Sequence, residues 1–261
     1  MSRSTSCAIA RSVRPAIGGR CATGRPNRRR NASSYASRPS PSTSTSVWST
    51  SQSTRTSSTG RTVAKQGRMM RMGDIVVVRH GQTEWSAGGR HTSVTDLDLT
   101  PEGEDRARSL SRAFVTAAFV AVVSSPRRRA LRTAELAGLT VTAVDADVVE
   151  WDYGEYEGRT TAEIRAERPG WDLWSDGCPG GESPQHVTDR LDRFLARLAP
   201  MLVLGDVAVV SHGHASRALA SRWLGEPVTF GARLSLDTAT LSVLGHEHDQ
   251  PSIRTWNAPV H

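Results

Sequence analysis

Two short apolar, β-branched runs, residues 75–78 and 207–210, each lead directly into a histidine followed by glycine: Arg79-His80-Gly81 and Ser211-His212-Gly213. In open α/β sheets the carboxyl ends of the strands are where ligands bind. Glycine there removes a side chain where a ligand must approach the backbone, and a following helix offers amide groups to an anion. One such His-Gly pair is as a rule structural; two at the same kind of strand end point to a shared site. Between them, Ser124-Ser125-Pro126-Arg127-Arg128-Arg129-Ala130 falls where another strand becomes a helix. Three adjacent arginines cannot all face one way. The helical phase after Pro126, set by Ala130 and Ala134, turns Arg129 toward the sheet edge. The fourth element, Glu150-Trp151-Asp152-Tyr153-Gly154-Glu155-Tyr156-Glu157-Gly158, supplies carboxyl groups able to move a proton. Its spacing does not select one of them.

The elements that must position these groups alternate. Residues 75–78 read as a strand buried on both faces. Thr100-Pro101-Glu102 gives a cap, a proline at the first helical position and an acid in the first turn, so a helix is expected through Ala107, Leu110 and Phe114 to about Ala118. Residues 119–124 form a second strand, Pro126 opens a helix through Leu131, Ala134 and Leu136, and residues 140–144 form a third strand. Residues 150–181 are irregular, with a short helix at 161–167, and roof the site. Ser183-Pro184 caps an amphipathic helix carrying Val187, Leu191, Phe194, Leu195 and Leu198 on one face. A strand at 207–210, a helix at 214–224 and closing strands around Leu234, Leu236, Leu241 and Val243 and around residues 253–256 complete the chain. Strand and helix in alternation imply right-handed crossovers onto one sheet. The fold expected for residues 73–261 is one three-layer α/β domain with a mostly parallel central sheet.

Charge separates this domain from what precedes it. Residues 1–73 hold 14 Lys and Arg and no acid, whereas the rest is net −7, so the overall +7 describes no folded surface. Residues 1–72, built of Ser, Thr, Arg, Pro and Gly, bury too little apolar area to offset the entropy of ordering and read as a disordered basic extension. Lys65 is the only lysine beside 32 arginines, as a GC-rich coding sequence yields, which favours a start placed too early, with Met72 the candidate for the true one and Met69 and Met70 as its neighbours. An organellar targeting segment or non-specific nucleic-acid binding are the lesser readings of this extension. No apolar run approaches the ~20 residues of a membrane span, so a soluble protein is expected. Cys178 is the only cysteine outside the extension, which excludes a disulfide framework and a thiolate metal cluster there and suits a cytoplasmic location. His246-Glu247-His248-Asp249 could ligate a metal, but Gly245 and Pro251 mark it as a turn between closing strands.

Taken together and in this order, Arg79-His80-Gly81-Gln82-Thr83-Glu84-Trp85, the Ser124–Ala134 stretch, Glu150–Gly158 and Ser211-His212-Gly213 resemble the histidine phosphatase superfamily, in its phosphoglycerate-mutase-like branch. Gly89-Arg90-His91-Thr92 with Thr95-Asp96, and Gly177-Cys178-Pro179-Gly180-Gly181-Glu182-Ser183, are most similar to the mutase-like acid phosphatases of actinobacteria. The resemblance implies a phosphatase acting through a phosphohistidine, with His80 as nucleophile. It also implies that Arg79, Arg129 and His212 hold the phosphoryl group and that Glu150 donates the proton. Gln82, Thr83, Thr92, Ser93, Tyr153 and Gly213 are the further candidates to line the pocket. Chemistry agrees: a nucleophilic imidazole must be neutral, which neighbouring cations favour, and guanidinium forks match phosphate oxygens without a metal. No cofactor is then required, and the partner is a small phosphorylated metabolite, neither nucleic acid nor membrane.

A mutase must hold a bisphosphorylated intermediate, which requires additional cations. Where similar mutases carry lysine this chain has Thr161, and Ser86 and Ser93 stand where they show Asn and Gly. The paired arginines of their longer insertion have no counterpart before Cys178. Phosphatase is therefore the expected activity and phosphoglycerate mutase the alternative, with Arg159 and Arg165 as partial substitutes for the missing cations.

Overall fold

A computed structural model describes residues 72–260. The expectations for the basic extension and its start concern residues that, apart from Met72, lie outside that range.

Four parallel strands form one side of a six-stranded sheet. They are β1 (Ile75–Arg79), β2 (Phe119–Ser124), β3 (Ala143–Val144) and β4 (Asp206–Ser211). β5 (Thr240–Glu247) and β6 (Gln250–Pro259) close it as an antiparallel hairpin, giving the order β3-β2-β4-β1-β5-β6. Alternate residues of β1, β2 and β4 enter different cores, whereas both residues of the edge strand β3 are exposed. Ile75, Val77, Val207 and Val209 face one helical layer, whereas Val78, Val122, Ala208 and Val210 face the other. This is the three-layer arrangement expected, and a strand covered on both faces has no polar side to alternate with.

The first layer contains α7 (Pro184–Leu202) and α8 (Gly213–Trp223), which pack on each other and on the sheet through Val187, Leu191, Phe194, Leu198 and Leu219. The second contains α2 (Pro101–Ser109) and α4 (Arg128–Leu136), which contribute Ala107, Ala130 and Ala134 to the buried interior. Small residues on these helices allow close approach to the sheet. At one crossing, a Cβ on Gly103 of α2 would lie 2.2 Å from the carbonyl oxygen of Gln82. Short helices α1 (Glu84–Ala87), α3 (Ser111–Phe114), α5 (Thr161–Glu167) and α6 (Leu173–Asp176) lie in the connections.

Several elements depart from the sequence expectation. The helix expected to run from Thr100 to about Ala118 is two helices, α2 and α3, joined at Leu110, and it ends at Phe114. The serine hydroxyls on either side donate to main-chain carbonyls, Ser109 to Asp105 and Ser111 to Arg108, and Leu110 N–H tightens onto Ala107. α4 starts at Arg128, two residues after Pro126, because Arg127 still has extended backbone. β3 is only two residues long. Leu234 and Leu236 precede the closing strands instead of belonging to them. His248 and Asp249, with φ of 47° and 64°, make the tight turn of the β5–β6 hairpin. Among the described residues, no group of His, Cys, Asp and Glu is gathered as a metal ion would require.

Candidate active site

Register brings the two His-Gly segments together. β1 and β4 are parallel neighbours with Arg79 beside Ser211, so the next residues, His80 and His212, leave the sheet side by side. Their rings meet edge to face with centroids 5.1 Å apart. Both are buried, His80 at 5% exposure and His212 at 0%. Burial first, then the charges of Arg129 and Arg79, hold the His80 imidazole well below its ordinary range. His212 is held low by burial, then by His80 and Arg129. Each ring therefore has one proton to place. His80 Nδ1 is 2.7 Å from the carbonyl oxygen of Gly81, so Nδ1 donates and Nε2 carries the lone pair. His212 Nδ1 accepts from Arg129 Nε at 3.2 Å, so its Nε2–H donates to Ser125 Oγ at 2.7 Å.

A cavity of about 240 Å³ opens over His80. Of the residues expected to form the site, Arg79, His80, Glu150, Thr92, Tyr153 and Gly213 line it. The Arg79 guanidinium lies against the start of α8, where a Cβ on Gly213 would be 3.3 Å from Cζ, and it donates to the carbonyl of Leu236. Its Nε is buried without a protein partner. A buried charged donor without an acceptor is costly, and the guanidinium that carries it lines the cavity, where it offers positive charge to an anion.

Glu150 is fixed by the main chain. Oε1 accepts from the N–H groups of Trp151 and Ala215 at 2.9 and 2.8 Å, and Oε2 from that of His214 at 3.1 Å. The carboxyl group thus occupies the amides that open α8, which sets it beside the His212-Gly213 turn.

Five expected residues do not line the cavity. Arg129, fully enclosed, turns its donors to His212 Nδ1 and to the carbonyls of Thr92, Ser93 and Thr95 at 2.9 to 3.2 Å. His212 lies behind His80. Ser93 is buried and bonded to Glu157, with Oγ to Oε2 at 2.6 Å. Thr83 caps α1 and Gln82 accepts from Thr100, so both support the loop after His80 instead of facing the cavity.

Ser86, Gly89, Arg90, His91, Thr161, His214, Arg217 and Leu236 complete the wall, and of these His214 and Arg217 belong to no motif read from the sequence. His214 Nδ1 and Tyr153 Oη are hydrogen-bonded at 2.6 Å, and the His91 ring packs on Tyr153 at 4.6 Å. Burial lowers His91 to about 4, and the His214 ring is also pushed down by burial. Arg217 lies over Trp174 at 4.7 Å and donates to the carbonyl of Gly231. The helical phase contained a signal: Arg217 is one turn beyond Gly213, on the face that already carries the site.

With this geometry in view, comparison with known proteins is specific. The model of the histidine phosphatase superfamily (branch 1) matches residues 75–259. An acid phosphatase of Mycobacterium tuberculosis is 44% identical over 176 residues, covering 67% of this chain and 87% of its own length. A sedoheptulose 1,7-bisphosphatase of Saccharomyces cerevisiae is 37% identical over 182 residues, 58% of this chain and 67% of that protein. A solved structure of an open-reading-frame product from Mycobacterium tuberculosis superposes with a TM-score of 0.70 at 41% identity, over 72% of this chain and 99% of that one.

Proposed function

This chain belongs to the histidine phosphatase superfamily, branch 1, and from that premise we propose that it hydrolyses small phosphate monoesters through a phosphohistidine on His80. The observation that carries this reading is the His80 ring itself. It is buried among cations, neutral, and anchored through Nδ1, which leaves the Nε2 lone pair free on a ring that lines the cavity together with Arg79. Relatives that act as an acid phosphatase and a bisphosphatase support the reaction class.

In the first half-reaction His80 Nε2 attacks phosphorus, the P–N bond forms as the ester P–O bond breaks, and the departing alkoxide takes a proton from Glu150. In the second, water attacks phosphorus and gives its proton to the Glu150 carboxylate, and the P–N bond breaks to restore the free imidazole. Oε2 of Glu150, which accepts one main-chain N–H where Oε1 accepts two, is the freer oxygen for that proton. Arg79 meets the phosphoryl oxygens, where transition-state charge spreads. Arg129 supplies a further cation behind the nucleophile, and the neutral His212 ring packs between it and His80. The buried histidines and guanidiniums do this without a cofactor, and a cytoplasmic metabolite is the substrate.

One observation favours the mutase alternative. Arg90 and Arg217 line the cavity together with Arg79, and could hold a second anionic group. Arg159 and Arg165 do not line it: Arg159 pairs with Glu167 and Arg165 donates to the carbonyl of Trp171. Against the alternative, Ser86 and Thr161 occupy the wall where mutases carry Asn and Lys. The test is turnover of the full chain on a panel of sugar phosphates and phosphoglycerates, with isomerisation of 3-phosphoglycerate followed in parallel. Release of inorganic phosphate without isomerisation is expected. Isomerisation exceeding phosphate release would replace the hydrolase by the mutase, and no turnover of any ester would refute both.

A further inference from the structure

Glu157 takes no part in the reaction just described, yet four polar contacts converge on its carboxylate. The Ser93 N–H lies 2.9 Å from both oxygens, Ser93 Oγ donates to Oε2 at 2.6 Å, and the Thr95 N–H donates to Oε1 at 3.0 Å. The same short loop accepts from Arg129 on its other side, through the carbonyls of Thr92, Ser93 and Thr95. One peptide joins the two: the Thr92–Ser93 unit gives its N–H to Glu157 and its C=O to Arg129, at 2.9 and 3.2 Å. A carboxylate at one end and a guanidinium at the other polarise that peptide in the same sense, and each bond strengthens its neighbour. Beyond Arg129 the sequence of contacts continues to His212 Nδ1 at 3.2 Å and, ring against ring, to His80.

Backbone pairing keeps Glu157 opposite this loop. Gly158 N–H bonds the His91 carbonyl at 2.8 Å, and His91 N–H bonds the Arg159 carbonyl at 2.9 Å. Residues 90–91 and 158–160 therefore run together as a two-chain ribbon, with a bridge between Arg90 and Thr160. Gly158 has φ of 75°, and a Cβ there would press on the ring of Trp85 at 3.0 Å, so glycine is what lets the chain turn tightly after Glu157.

The geometry points to Glu157 as a positioning residue: through the Thr92–Thr95 loop it sets Arg129, and through Arg129 it sets His212 and the field on His80. This inference rests on the phosphohistidine reading for its kinetic consequence, but its structural part can be read without turnover.

The kinetic test compares full-length wild type with Glu157→Gln, Glu157→Ala, Arg129→Lys and the Glu157→Gln/Arg129→Lys double variant, using p-nitrophenyl phosphate. Misplacing a catalytic group by about 1 Å can cost roughly 10²-fold, so Glu157→Ala should lose about 10- to 100-fold in kcat, with KM moving much less and Glu157→Gln falling between. The double variant should be little worse than Arg129→Lys alone, because both changes act on one guanidinium. The structural test is a long-range proton–nitrogen NMR spectrum of histidine-labelled protein. It should show the His212 Nδ1 resonance shifting in Glu157→Gln while the fold melts within a few degrees of wild type. If the kinetic losses multiply in the double variant, or the His212 resonance stays in place, Glu157 is a loop anchor and the proposal is wrong. If Glu157→Ala does not fold, the Glu157→Gln arms decide by the same criteria. A wild type without phosphatase activity would refute the hydrolase reading, leaving the His212 shift to decide this one.

Discussion

Only an unprotonated imidazole attacks phosphorus, and only a carboxyl group that gives up its proton at the right moment lets an alkoxide leave. Those two demands fall on His80 and Glu150, and they are separable by leaving group. An ester with a phenolic leaving group needs little protonation, whereas an alkyl ester needs it fully. Glu150→Gln should therefore lose about 10²-fold or more on sugar phosphates, the ordinary scale of general-acid catalysis, and distinctly less on p-nitrophenyl phosphate. Steady-state kcat on the two substrate types measures this, and equal losses on both would remove Glu150 from the role of acid. At this scale the sequence was readable in residue type more than in contact. The pairing of His80 with His212 followed from two similar strand ends. That Arg129 would turn its fork to the carbonyls of Thr92, Ser93 and Thr95 did not, because helical phase gives a direction and no distance. His214 and Arg217 carry no motif in the helix expected at 214–224, although the first turn of α8 opens on the cavity.

Elements position these residues through close backbone approach at glycine. Gly81 and Gly103 mark where the loop after His80 crosses α2: a Cβ on Gly81 would lie 2.5 Å from the Gly103 carbonyl oxygen, and one on Gly103 2.2 Å from that of Gln82. Both obstacles are main chain, so neither can yield by a rotamer change. Gly103→Ala removes a poor helix former and would stabilise an exposed helix by somewhat under about 1 kcal/mol. Here the overpacking outweighs that gain, and a net loss of about 1–3 kcal/mol is expected, read as a lowered midpoint in urea unfolding. A rise in the midpoint would show that α2 does not dock as described. Sequence reading located most elements because caps and periodicity are local: Thr160 and Ser183 cap α5 and α7 at the expected starts. It missed α6 and the break at Leu110, where one turn of helix is decided by Asp172 capping and by serine hydroxyls competing for carbonyls.

Across the whole domain, three buried histidines, His80, His91 and His212, and the half-buried His214 titrate below their ordinary value, with desolvation the largest cause at each. The unfolded chain therefore binds more protons than the folded one once pH falls below about 6.5. Stability is full above that value and declines as pH drops toward the folded pKa values, by up to about 1.4 kcal/mol per pH unit for each extra proton bound by the unfolded chain. Thermal unfolding of the full chain should accordingly show Tm falling between about pH 7 and about pH 5, a window in which Asp147, whose folded pKa is lowered, stays ionised. A flat Tm across that window would mean these rings are not buried as described. Topology was legible because four strands with helical crossovers admit few arrangements. The roof that residues 150–181 form was not, since its shape rests on contacts such as Gly154 against the Pro179 carbonyl that leave no periodic trace. The central claim is tested most directly by quenching the full chain within its first turnover of a labelled phosphate ester and mapping the label. The account predicts an acid-labile phosphoryl group on His80 that is absent from His80→Ala. Label on another residue, or undiminished turnover by His80→Ala, would contradict it.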